Sequence, residues 1–355
     1  MSRFLVNSLE ELGWNTTLAR QLVRDGDELR VPVRVVEVHR DKLRVAGQQL
    51  DQTIALPRLS DYSADQLTPA VGDWLLLDQE TLHFGRVLER QSLFRRRAPG
   101  TSPKTQLIAA NVDTVFIVSS CNQDFNEARL ERYLVLARDA NVFPVVVLTK
   151  ADLCDEPENF EHRAVQLLPS LIVESLNALD AESVRRLAPF CRVGQTVVLL
   201  GSSGVGKSTL VNTLTQSEST DTQPVREDDD KGRHTTTGRG FYRLRDGGWL
   251  IDTPGMREIQ LTNVAAGIRE VFEEIDALAS KCRFGDCTHE TEPGCAVLDA
   301  IERGTIDQAR LARWRKLAAE EHRNSETLAE RRARDKDFGK MVRSVMRDKH
   351  DKRPR

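Results

Sequence analysis

From about residue 30 the chain alternates apolar and polar positions, with Val31, Val33 and Val35 on one side and polar or small neighbours between them. A period of two is what a half-buried strand requires. Further short apolar pieces at 43–45, 54–56, 74–77 and 84–88 are separated by turn signals such as Val71-Gly72-Asp73. Five short strands in about 65 residues suit a small OB-like barrel better than a sandwich. Ahead of them, Leu9, Leu12, Leu18 and Leu22 can line one face of a short helix or helix pair, with Ser8 and Glu11 at the spacing of a capping box. Past residue 111 the apolar runs become continuous, at 112–119, 143–149, 170–174 and 195–200, and helical stretches such as 127–140 fall between them. Strands alternating with helices predict a parallel sheet covered on both faces. After Gly255 the strand pattern stops, and the rest reads as helical around one Cys/His cluster. No internal repeat is present.

The strongest local signal is Gly201-Ser202-Ser203-Gly204-Val205-Gly206-Lys207-Ser208, which fits G-x-x-x-x-G-K-[ST] between the apolar run 196–200 and a helix through Leu214 that begins with Thr209 in its first turn. Glycines let the backbone curl so that successive N–H groups face phosphate oxygens, with a helix N-terminus behind them. Lys207 is expected along the β- and γ-phosphates and the Ser208 hydroxyl on Mg²⁺. Asp252-Thr253-Pro254-Gly255 follows the run 249–251 and matches D-x-x-G. There Asp252 would hold Mg²⁺ through water and the Gly255 N–H would sense the γ-phosphate. Between the two motifs lies Lys231-Gly232-Arg233-His234-Thr235-Thr236-Thr237, in which Thr235 and Thr236 are the candidates to complete the Mg²⁺ shell.

Thr149-Lys150-Ala151-Asp152 ends the run 143–148 and resembles the base-reading N-K-x-D motif. A carboxylate at Asp152 accepts from guanine N1–H and the N2 amino group, donors that adenine lacks, and leaving it unpaired costs about 1–3 kcal/mol. The Lys150 stem can cover the base. The sequence departs from the pattern at Thr149, where the longer Asn amide is usual. Glu174-Ser175-Leu176 falls where a backbone contact to the base would lie. The base motif precedes the phosphate motif, the reverse of the usual order. Such permutation is feasible because domain termini lie at the surface and often close together. Many GTPases place Gln after D-x-x-G to orient water. Here Met256 stands there, which predicts slow intrinsic turnover and a partner that orders the loops. His234 is a candidate internal donor.

Cys282, Cys287, His289 and Cys295 form C-x4-C-x-H-x5-C. Three thiolates and an imidazole suit one tetrahedral Zn²⁺ with no open position, hence a structural site. In the following helix, 307–323, Leu311, Trp314 and Leu317 point inward, leaving Arg310, Arg313, Arg315 and Lys316 to face out as an RNA candidate. Phe94-Arg95-Arg96-Arg97 reads as a solvated linker.

Composition sharpens this picture in three respects. At 355 residues, 39% hydrophobic and 30% charged, the chain is an ordinary globular multidomain sequence. No run approaches the ~18 apolar residues of a membrane span, and residues 1–14 do not read as a signal peptide, so a cytoplasmic setting with reduced or metal-bound cysteines is expected. The net charge of −3 divides into +7 over residues 331–355 and −10 before them, which suggests an anionic partner for the tail.

Taken together, the permuted order, the GSSGVGKS loop, the RHTTT segment, DTPG, the C-x4-C-x-H-x5-C cluster and the barrel resemble the bacterial ribosome small subunit-dependent GTPase A family, over residues 30 to 325. The resemblance implies an OB-fold domain, a circularly permuted P-loop GTPase domain of α/β class and a helical zinc domain. It also implies late assembly of the 30S subunit on its 16S rRNA, GTP hydrolysis to GDP stimulated by that subunit, and release on hydrolysis. The expected organisation is an N-terminal helical segment (1–29), the barrel (30–98), the GTPase domain (99–262), the zinc domain (263–330) and a basic tail (331–355). A monomer that binds neither DNA nor membrane is expected. The competing readings are another P-loop NTPase, or a nucleotide-gated RNA-binding module whose hydrolysis is incidental.

Overall fold

The computed structural model describes residues 4–24, 26–56, 69–97, 105–215, 240–252, 261 and 264–325. His234, Thr235, Thr236, Gly255, Met256 and the basic tail lie outside the described residues.

The alternating region forms β1 (Arg30–Val38), β2 (Lys42–Gly47), β3 (Leu50–Ala55), β4 (Trp74–Asp78) and β5 (Phe84–Val87). All pair antiparallel, with β1 joined to both β2 and β4 and β5 on β4. Val33, Val35, Leu43, Val45, Leu75 and Leu77 are fully buried and make a separate small core, the inside of an OB-like barrel. At its entrance Asp73 lies buried under Arg90, 2.7 Å from Nε, and also accepts from the Ala70 N–H at 2.7 Å.

The segment expected as a solvated linker is instead β6 (Leu93–Arg97), paired antiparallel with β7 (Thr105–Ala110). Phe94 is buried among core residues, Arg96 donates to the Gln106 carbonyl oxygen of its side-chain amide at 2.9 Å, and Arg95 reaches Asp139 at 3.6 Å. A three-arginine run concealed a strand because the one apolar member, Phe94, carries the burial.

Next come β8 (Thr114–Ser120), α2 (Glu127–Asp139), β9 (Phe143–Thr149), α3 (Pro157–Val165), β10 (Ile172–Ser175), the single-turn α4 (Ala181–Val184), β11 (Thr196–Gly201), α5 (Lys207–Thr215), β12 (Gly240–Arg243) and β13 (Trp249–Asp252). The strands lie in the order β10-β9-β8-β11-β13-β12, parallel except for β12. β8 is buried along its whole length, as its unbroken apolar run demands. α2 opens with the Asn126 side chain accepting from the Arg129 N–H at 3.0 Å. From β8 the chain moves outward through β9 to β10, then returns to place β11 on the other side of β8. That reversal is a topological switch point, where α/β sheets bind ligands beyond the carboxyl ends of the strands.

The rest of the described chain contains α6 (Ala265–Val271), α7 (Glu273–Ala279), α8 (Ala296–Glu302) and α9 (Gln308–Ser325), with a loop between α7 and α8. Gly267 of α6 lies so close to α2 that a Cβ would stand 2.3 Å from the Val135 carbonyl. No described helix is long and apolar enough to cross a membrane.

The N-terminal segment is less helical than its leucines suggest. A 3-10 turn (Leu9–Leu12) leads to the four-residue α1 (Thr16–Ala19), capped by the Asn15 side chain, which accepts from the N–H groups of Thr17 (3.0 Å) and Leu18 (3.1 Å). Leu12 and Leu18 are buried, whereas Leu22 is exposed. Ser8 makes no side-chain cap. The Glu11 carboxylate accepts from the Asn7 N–H at 3.0 Å instead.

Candidate nucleotide site and Cys/His centre

The C-terminal ends of β8, β9, β10, β11 and β13 reach one edge of the sheet, so Ser120, Thr149, Ser175, Gly201 and Asp252 all arrive at the same rim. The phosphate-loop residues 201–206 fill the turn from β11 into α5, with Lys207 and Ser208 in the first turn of the helix and Thr209 next. Gly201 (φ +153°) passes so close to β8 that a Cβ would come 2.4 Å from the Val118 carbonyl. Gly206 (φ +88°) faces Thr149. Both positions demand glycine, one for the close approach and the other for the left-handed backbone. Val205 is buried in the core while Ser203 and Gly204 are exposed, so Val205 anchors the loop and its tip at 203–204 faces solvent. The Lys207 ammonium donates to the Ser202 carbonyl across the loop mouth.

The base-motif segment is brought against this loop. Thr149, fully buried, donates its hydroxyl to the Val205 carbonyl at 2.6 Å and lies 3.1 Å from the Ser119 carbonyl. A hydroxyl has one proton, so the shorter contact takes it. The side chain shorter than Asn therefore fastens the end of β9 to the phosphate loop. Lys150 adopts a left-handed backbone (φ 59°) that turns the chain away from the sheet, and Asp152 follows on the exposed face of a single 3-10 turn. The Ala151 N–H meets the Leu176 carbonyl at 3.4 Å, joining this turn to the end of β10. Burial raises the Glu174 carboxyl above its usual range, with Arg186 opposing at 3.9 Å. Asp252, half-buried, ends β13 beside β11, in register with Gly240 of β12.

The second cluster sits between α7 and α8. Cys282 Sγ lies 3.8 Å from Cys295 Sγ and 3.5 Å from His289 Nδ1, and His289 Nδ1 lies 3.3 Å from Cys295 Sγ. The four ligand atoms, that of Cys287 included, all fall within 4.8 Å of one another. Tetrahedral Zn²⁺ with its usual bond lengths has S···S edges of about 3.8 Å and S···N edges of about 3.6 Å. The donor set and its spacing are compatible with one zinc ion. Cys295 also caps α8, accepting from the Leu298 N–H at 3.5 Å, and the His289 carbonyl accepts from Arg315.

Here the helix face expected to meet solvent does something else. Glu131 of α2, fully buried, takes Arg310 Nη1 at 2.8 Å and Arg313 Nε at 2.8 Å. Arg310 also bonds Glu274 at 2.7 Å and stacks over Phe272 at 4.4 Å. Leu311 and Leu317 are buried and Trp314 packs on them, as the helical spacing predicts, but only Lys316 of the four basic residues is exposed. The apolar pattern gives the inward face. It could not reveal a buried carboxylate nearly two hundred residues earlier in the chain. Substituting Glu131→Gln removes the charge that two confined guanidiniums face, and a loss of about 3 kcal/mol is expected, read as a lower urea midpoint at unchanged slope.

A phosphate loop at a parallel-sheet switch point, a base-type segment fastened to it, and motif order reversed along the chain define a circularly permuted P-loop GTPase with a zinc-type helical module. The comparisons agree. The sequence profile of the RsgA GTPase family matches residues 87–262. The small ribosomal subunit biogenesis GTPase RsgA 2 of Vibrio parahaemolyticus is 49% identical over 97% of this chain and 94% of its own length. Among solved structures, YjeQ from Thermotoga maritima superposes with a TM-score of 0.59 at 24% identity, over 81% of this chain and 97% of that one. YloQ, described as a circularly permuted GTPase, gives 0.58 at 22%, over 86% of this chain and 99% of that one. The chain belongs to the RsgA GTPase family.

Proposed function

We propose that this chain hydrolyses GTP to GDP and phosphate during late maturation of the small (30S) ribosomal subunit, with the subunit stimulating turnover and nucleotide state governing binding and release. The carrying observation is the 2.6 Å bond from Thr149 to Val205, which holds the base-type segment against the phosphate loop at the switch point. A guanine nucleotide placed with its phosphates over residues 201–208 then has Asp152 and Lys150 on the side where its base extends. Biogenesis of the small subunit is the role named for the relative that is 49% identical over nearly the whole chain.

In this reading the loop N–H groups and Lys207 hold the β- and γ-phosphates, Ser208 and Asp252 hold Mg²⁺, and Asp152 selects guanine while Lys150 covers its face. Thr235, Thr236 and Gly255 are assigned to the same pocket from sequence alone. Mg²⁺, when bound, neutralises charge on the β- and γ-phosphates. Thr149 acts at one remove, by fixing the loop, which accommodates its departure from Asn. Met256 offers no hydrogen bond to a nucleophilic water, so the partner supplies or orders that group. The Cys/His centre holds one structural Zn²⁺ and pins helices too short to form a core alone. The partner surface includes 16S rRNA, the protein works as a cytoplasmic monomer, and the domain limits are those of the sequence reading.

Asp152→Ala is expected to weaken GDP about five- to a hundred-and-fifty-fold, the equivalent of about 1–3 kcal/mol, with no gain for ADP. Equilibrium titration with fluorescent GDP, competed by ADP, reads it. Unchanged GDP affinity would remove guanine recognition from this residue.

A further inference from the structure

Residues 4–18 lie in the seam between the barrel and the nucleotide sheet and touch both sides. Val6 bridges to Gln48 at the turn between β2 and β3, and the Gln49 N–H donates to its carbonyl at 2.9 Å. The Phe4 ring sits between Arg44 of the barrel, 4.7 Å from its centroid, and Trp249 of β13, 6.0 Å away. The Trp249 indole N–H donates to the Glu11 carbonyl at 2.7 Å, and Arg243 of β12 reaches the Glu11 carboxylate at 3.3 Å. Gly13 and Gly194 meet backbone to backbone. A Cβ on Gly13 (φ +93°) would stand 2.8 Å from the Gly194 carbonyl, and one on Gly194 (φ +81°) would stand 2.8 Å from the Glu10 carbonyl. Trp14 packs edge-on against Trp74 of β4 at 4.9 Å.

At the centre of the seam is Arg34 of β1, fully buried, its guanidinium pKa brought down to about 10 by burial. It donates to the carbonyls of Leu12, Gly72 (3.3 Å) and Asn111 (2.7 Å) and to the Thr196 hydroxyl (2.8 Å), and stacks over Phe241 at 4.9 Å. One cation thus bonds the N-terminal segment, the barrel, the approach to β8 and the foot of β11. β1 also meets β12 edge to edge, Glu37 opposite Gly240.

We propose that residues 4–18 and Arg34 are positioning elements that weld the barrel to β11 and β13, the strands presenting the phosphate loop and Asp252, so that barrel and nucleotide domain open only together. Nucleotide bound at the sheet rim is then felt inside the barrel, although no barrel residue belongs to the candidate site. The proposal rests on the GTPase reading only in requiring that GDP binds.

Hydrogen exchange on the full chain tests it. A ligand at a hundred times its Kd slows opening of any unit that must open to release it by about a hundred-fold. With saturating GDP and Mg²⁺, core amides of β11 and β13 are expected to slow by that factor, and amides of β2 and β4 by the same factor. In Phe4→Ala/Gly13→Ala the barrel response is expected to fall below about ten-fold while β11 and β13 keep theirs. Trp249→Phe, which keeps an aromatic ring but removes the N–H donor and part of the buried ring system, should give an intermediate value. Barrel amides indifferent to GDP in the unaltered protein, or a full barrel response in the double variant, would overturn the proposal. Absence of slowing in β11 and β13 themselves would instead refute nucleotide binding, and the weld reading with it.

Discussion

Lys207→Ala is expected to lower single-turnover GTP hydrolysis by about a hundred- to a thousand-fold, the loss seen when one preorganised donor to a developing charge is removed. Position 207 begins α5 immediately after the loop, so in the proposed reading its ammonium acts beside the helix N-terminus and the loop N–H groups. Its bond to the Ser202 carbonyl shows that the stem already spans the loop from one wall to the other. The charge therefore needs little reorganisation to meet phosphate oxygens. Because the substitution leaves Val205, Thr149 and the core beneath them untouched, the fold should persist. Circular dichroism matching the unaltered protein, together with lost hydrolysis, separates chemistry from stability. Hydrolysis within two-fold of normal would move the active site elsewhere.

Loss of the proposed zinc is expected to have the second large effect. α8 has seven residues and α7 has seven, too few turns to persist alone, and between them lies a loop without strands or long helices. Structural zinc contributes about 10–16 kcal/mol to folding of such modules, more than the margin by which a typical domain is stable. Cys295 holds three roles at once, as a ligand candidate, the cap of α8 and a member of the main core. Cys295→Ser is expected to drop the zinc content from one per chain to below a tenth in mass spectrometry of inorganic elements, and to make 281–303 the first region cut by protease. The clamp on Glu131 should keep α9 docked longer than α8. A chain that purifies metal-free with full protease resistance contradicts the zinc assignment.

How far the sequence could be read depended on whether each element announces itself locally. The runs that became β8 and β9, and the helix at 127–140, follow directly from unbroken apolar stretches and 3.6-residue spacing. The glycine-rich loop and the four-ligand cluster were legible because their spacing is dictated by backbone geometry within a few residues. What stayed hidden was pairwise and distant. Arg34, Glu131, Arg310 and Arg313 look like surface charges in a linear reading, yet Arg34 and Glu131 are buried and the two other arginines half-buried, each held by a partner far along the chain. Thr149 read as a weak match to Asn. Only the fold reveals that its hydroxyl reaches Val205. The leucines at 9–22 were expected on one helical face, but that segment packs along a seam, which frees Leu22 and buries Phe4 and Val6.

The central claim is that a chain with Met256 in place of a water-orienting side chain hydrolyses GTP slowly until a small ribosomal subunit completes the site. GTP turnover by the full-length protein, measured with and without purified small subunits and with large subunits as control, tests this directly. Slow basal turnover raised at least about ten-fold by small subunits alone is expected, in line with the gain when a partner supplies a missing group. Rapid hydrolysis by the isolated chain that small subunits leave unchanged would contradict it.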